Sequence, residues 1–116
     1  MAKETKQEEI TQIKFKYEGT EYIMEFDRDT VSQTEKAFDI SIADVRDGKI
    51  SAFYGLFHGA FLKHHPNIKT PTVEKLLELM PDKQGMFRNL AMMYGNCVNT
   101  LLDEPDEGNA ISWTAM

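Results

Sequence analysis

Ile50-Ser51-Ala52-Phe53-Tyr54-Gly55-Leu56-Phe57-His58-Gly59-Ala60-Phe61-Leu62-Lys63 contains the most apolar window of the chain. Phe53, Phe57 and Phe61 recur at four-residue spacing, while Tyr54, Leu56 and Leu62 widen the apolar arc almost all the way round. That pattern predicts a helix covered on most of its sides by the rest of the protein. Gly55 and Gly59 fall on one line of it. Each glycine costs about 1 kcal/mol of helix propensity against alanine, so their presence implies another backbone packed close against that line. This helix is expected at the centre of the fold, ended by Pro66. The apolar run Ile50–Leu62 spans 13 residues, too few to cross a bilayer as a helix.

Towards the N-terminus the period changes from helical to two. Ile13, Phe15 and Tyr17 alternate with Lys14, Lys16 and Glu18; beyond Gly19, Tyr22, Met24 and Phe26 alternate with Glu21, Ile23 and Glu25. Alternation on both sides of Glu18-Gly19-Thr20 predicts a β-hairpin with one apolar face, with Gly19 supplying the positive φ of a short loop. Two strands alone are marginal in water, so that face needs a helical cover. Asp29 or Thr30 is read as the cap of a helix running to about Phe38, on which Val31 and Phe38 share a face that Thr34 and Ala37 fill weakly. Residues 39–49 read as a connector that turns Ile40, Ile42 and Val45 inward. Residues 1–10 are polar, of mixed charge, and expected to form a disordered lead-in.

Towards the C-terminus, Thr70 is read as an N-cap with Pro71 at the first helical position. Val73, Leu76, Leu77 and Met80 follow at helical spacing, and Pro81 stops the run. A last helix is expected from about Gln84 to Leu102, with a stripe of Phe87, Leu90, Tyr94, Cys97 or Val98, and Leu101. The character then changes. Asp103-Glu104-Pro105-Asp106-Glu107 carries four acids and no base, and the sole tryptophan, Trp113, lies beyond it. The expectation is an α+β fold, with an N-terminal β-hairpin packed on a bundle of three to four α-helices. A single domain over 11–102 precedes a flexible acidic tail over 103–116.

Composition narrows the functional classes. The chain has 116 residues, 13 Lys+Arg against 19 Asp+Glu, and a net charge of -6. That balance disfavours a nucleic-acid backbone or an anionic membrane surface as partner, since both call for clustered cations. Cys97 is the only cysteine; no internal disulfide can form, and a reducing cytoplasm fits. His58 and His65 lie about two helical turns apart, wider than the spacing of helical zinc ligands, and read as solvated groups near a helix end. Cys97 sits in an apolar stripe and reads as a small hydrophobe rather than a nucleophile. The seven glycines form no phosphate cradle, and the acids at 103–107 lack the spacing of a calcium loop. No catalytic constellation, cofactor site or metal site is read.

What remains is protein binding. Seven methionines are many for this length, and Met86, Met92 and Met93 are the ones read as an adaptable face for a helical partner. Trp113 reads as an anchor folded back on the body, as an interface residue on a mobile tail, or as part of a disordered end without a role, with Asn109 and Ile111 beside it.

Three blocks also carry a resemblance. They are Phe15-x-Tyr17-x-Gly19-x-x-Tyr22, then Leu56-Phe57-His58-Gly59-Ala60-Phe61-Leu62-Lys63-His64-His65, then Leu102-Asp103-Glu104-Pro105-x-x-x-Asn109-x-x-Ser112-Trp113. Together they resemble a family of small proteins from phages and prophages of Gram-positive bacteria, similar in turn to the tail-assembly chaperones of long-tailed phages. The resemblance covers about residues 12–116, and residues 39–49 fit it least. It implies a non-catalytic protein of the host cytoplasm that binds a tape-measure or tail-tube protein. Self-association into a homo-oligomer is a separate expectation, drawn from the amount of apolar surface that few residues carry. Two other roles belong to the same setting: a tail component retained in the virion, and an inhibitor of a host enzyme.

Overall fold

The hairpin forms because its loop chemistry and its alternation agree. The computed structural model describes residues 10–101, 108 and 110–115, and begins with strands β1 (Ile13–Tyr17) and β2 (Thr20–Met24). Glu18 and Gly19, the two loop residues, have φ of 49° and 81°, as a type I′ turn requires. The register places Phe15 opposite Tyr22 and Ile13 opposite Met24, so the apolar side chains of both strands share one face. Phe15 and Tyr22 stack at 5.3 Å on that face.

Among the described residues five helices follow: α1 (Arg28–Phe38), α2 (Ile42–Arg46), α3 (Ile50–Gly59), α4 (Thr70–Leu79) and α5 (Lys83–Leu101). The fold is α+β, a hairpin on a helical body, as its periodicities predict. Several boundaries differ from the sequence reading, each for a local reason. The cap of α1 is Asp27, whose carboxylate accepts the Thr30 N–H at 2.9 Å while the Thr30 hydroxyl accepts the Asp27 N–H at 2.8 Å. This reciprocal capping box satisfies two donors that the first turn would otherwise leave free. That backbone hydrogen bond, with the Lys63 ammonium 2.9 Å away, holds the Asp27 carboxyl at about 2. The supposed connector contains α2, started by a second capping box between Ser41 and Asp44. Thr70 is the first residue of α4 rather than its cap; Lys69 precedes it and makes no side-chain cap bond. Ile10, the last residue of the expected lead-in, packs partly against the core; residues 1–9 lie outside the described residues. The acidic run 103–107 and Asn109 lie outside the described residues.

α3 is central, packed against α1, α2, α4 and α5. Leu56, Phe57 and Phe61 are fully buried with Met24, Val73, Leu90 and Tyr94. Aromatic contacts run from the hairpin through the turn after this helix and along it: Tyr22 against Phe61 at 5.9 Å, Phe61 against Phe57 at 5.3 Å, and Phe53 against Phe87 of α5 at 5.1 Å. The glycine line faces α1. A β-carbon on Gly59 would stand 2.1 Å from the Thr34 hydroxyl oxygen, and one on Gly55 would stand 3.0 Å from Phe38 Cβ. Tyr94 of α5 donates its hydroxyl proton to Glu35 of α1, and burial together with that bond pushes its pKa upward.

α3 stops at Gly59, short of the proline, because the next residues are recruited by the hairpin. The N–H groups of Phe61 and Leu62 bond three residues back, the tighter winding of a helix end. Ala60 then offers its carbonyl to the Glu25 N–H at 2.8 Å. His65 Nε2 accepts the Ile23 N–H at 3.1 Å, and His64 Nε2 meets Glu25 Oε1 at 2.8 Å. The outer edge of β2 is thereby covered. The histidines are structural contacts, not the solvated groups that their position after the helix implied; His58 is buried against Phe38 at 4.9 Å.

Two outcomes are expected. Gly59→Ala forces its methyl group into Thr34 and destabilises the fold by about 1–3 kcal/mol, the usual cost of overpacking. Adding Thr34→Ala restores part of the loss, because Thr34 Oγ1 is buried without a hydrogen-bond partner and its removal leaves nothing unsatisfied; urea unfolding of the three variants measures this. Separately, burial and then the neighbouring His64 lower the His65 pKa, and burial lowers that of His58. A depressed folded-state value means that stability is present above the unfolded value of about 6.5 and lost as pH falls through the folded one. In His65→Gln the side-chain oxygen accepts the Ile23 N–H at any pH, so its stability falls less steeply below pH 6.5 than that of the parent protein.

Candidate protein-binding surface

The segment after α5 presents its apolar side chains to solvent. Ile111 is 88% exposed and Trp113 is 83% exposed, with no secondary structure over 110–115. Trp113 is therefore not folded back on the body. An exposed indole next to an exposed β-branched residue is a surface that gains by being covered.

The three methionines separate. Met86 and Met93, seven residues apart on α5, share its core-facing side, and Met92 points away from it. Met92 is 41% exposed, Met86 is half-buried against the core, and Met93 is only 3% exposed, inside the core. The expectation of a three-methionine face is corrected accordingly. Residues 92 and 93 are adjacent and so about 100° apart around the helix.

Sequence reasoning missed a second apolar surface, between β1 and α4. Phe15 and Tyr17 on one side and Leu76, Leu79, Met80 and Pro81 on the other line a groove of about 270 Å³. Lys16 is the one charged residue along it. It continues into a hollow of about 440 Å³ that shares Tyr17 and Leu76 and adds Lys75 and Glu18. The signal available in the sequence was Leu79, an apolar residue off the buried stripe of α4; it is 53% exposed.

The remaining chemistry is that of packing. Cys97 donates its thiol to the Phe26 carbonyl at 3.2 Å. Burial first, then the charges of Asp27 and Glu25, push that thiol's pKa up, the reverse of what a nucleophilic cysteine needs. Burial raises the Glu25 carboxyl, but hydrogen bonds from His64 and Gln12 and the nearby Lys63 outweigh it, leaving its pKa lowered. Among the described residues no three His, Cys, Asp or Glu side chains converge as a metal site would need, and none of the helices is long and apolar enough to cross a membrane. The surface and core assignments make opposite demands on stability. Trp113→Ala changes it by less than about 0.5 kcal/mol, whereas Met93→Ala costs about 2–5 kcal/mol, both read from urea unfolding midpoints.

Neither a curated protein nor a solved structure matches the chain. A family model does, over residues 1–116. On that full-length match, the chain belongs to the family described as domain of unknown function DUF5055.

Proposed function

We propose that this protein is a non-catalytic tail-assembly protein of a phage or prophage, a chaperone in the host bacterial cytoplasm that binds the tape-measure or tail-tube protein during tail morphogenesis. The observation that carries the reading is the exposure of Ile111 and Trp113 in a segment preceded by four acids. An aromatic anchor beside an aliphatic one is the composition of a protein-binding hot spot, and the acidic run steers it towards basic surfaces. The phage setting rests on the resemblance of the hairpin, the Phe-x-Gly-Ala-Phe helix and the Asn-x-x-Ser-Trp ending to small phage proteins. Net negative charge argues against a nucleic-acid partner. The raised Cys97 thiol supports a role without nucleophilic chemistry.

Co-expression with a phage tape-measure protein and with a tail-tube protein provides the test. The expected result is a larger soluble fraction of one of them, lost with Trp113→Ala and with removal of residues 104–116. Soluble yields that do not respond to the chain, or its recovery by mass spectrometry as a stoichiometric part of purified particles, would overturn the chaperone reading.

A further inference from the structure

We infer that the groove between β1 and α4 binds the Ile111-Ser112-Trp113 segment of a second copy of this chain, so that the protein associates head to tail. The groove is apolar along its length, built from Phe15, Tyr17, Leu76, Leu79, Met80 and Pro81. Cations stand at its ends. Lys16 lines it on the strand side, and the Lys83 ammonium, donating to the Met80 carbonyl at 3.0 Å and the Glu78 carbonyl at 3.2 Å, sits at the Met80 end. The adjoining hollow adds Lys75, against the single carboxylate of Glu18.

The chain itself carries a segment of complementary chemistry. Ile111 and Trp113 offer two exposed apolar side chains, and Asp103, Glu104, Asp106 and Glu107 precede them without a base. An apolar slot flanked by lysines suits such a segment in both hydrophobicity and charge. The occupant is another copy because the chain's own Trp113 is 83% exposed and so lies outside its own groove. Groove and segment are different patches, which makes the contact heterologous. Repeated from copy to copy, such contacts build rings or open chains, the smallest ring being a pair of copies that exchange segments.

This inference needs no phage partner and stands apart from the chaperone reading, since the purified full chain tests it alone. Sedimentation should show mass rising with concentration, accompanied by a shift of the Trp113 emission to shorter wavelength. Added salt should weaken the association, as lysine–carboxylate attraction is screened. Leu79→Glu spoils the groove at an exposed position and Trp113→Ala spoils the segment; each should raise the dissociation constant at least about tenfold. Mixing the two variants is the deciding arm. Leu79→Glu still supplies a segment and Trp113→Ala still supplies a groove, so the mixture should form one-to-one pairs that grow no further, with the emission of the remaining tryptophan shifted. A monomer at all concentrations, an emission shift without a change in mass, association indifferent to both variants, or a mixture that fails to pair would each overturn the inference.

Discussion

The close approach of α1 to α3 is the contact on which the rest of the structure depends. With Gly59 against Thr34 and Gly55 against Phe38 and Ile40, two helices approach closely along the glycine line, with His58 and Tyr54 packed on Phe38 beside it. The helix that carries Phe53 and Phe57 is thereby held at one depth and one rotation. Its other sides are then left to α2, α4 and α5, and the hairpin meets the turn that follows it. Helices packed through a glycine line gain dispersion contacts over a short distance and tolerate almost no added volume. The propensity lost at two glycines is offset by that contact. The Tyr94–Glu35 hydrogen bond ties the third helix of the core to the same pair.

A second constraint is the edge of the hairpin. An uncovered strand edge invites pairing with other chains, and here the turn after α3 covers β2 with a carbonyl and an imidazole. The arrangement works only with neutral His65, because protonation of Nε2 removes the acceptor. Hairpin and central helix are thus joined by polar contacts at the rim as well as by the Tyr22–Phe61–Phe57 aromatic contacts within.

Apolar surface is distributed unevenly once these contacts are made. Most large apolar side chains of α3 are buried or half-buried, while Ile50 in its first turn, Ile111, Trp113, Leu79 and Met92 are exposed. The exposed groups lie in the first turn of α3, on the outer side of α4, on α5 and in the segment over 110–115. A body stabilised around its central helix leaves these positions free to serve association, since single apolar residues there contribute little to folding.

Much of this was legible in the residues. Period-two alternation around Glu18-Gly19 determined the hairpin and its apolar face, and four-residue phenylalanine spacing with two aligned glycines determined a covered central helix. These signals are local, and the backbone conformations that they favour do not depend on distant contacts. Whether Trp113 folds back on the body was open in the residues alone. Only the tertiary structure decided where α3 ends, because the group that takes the Ala60 carbonyl is the Glu25 N–H of the hairpin, far away in the chain. It likewise decided that His64 and His65 are edge contacts, that Met93 is core while Met92 is surface, and that Leu79 borders a groove. Each of these depends on which neighbour arrives from elsewhere in the sequence. A one-residue step along a helix turns a side chain by about 100°, so burial follows the neighbour rather than the residue type.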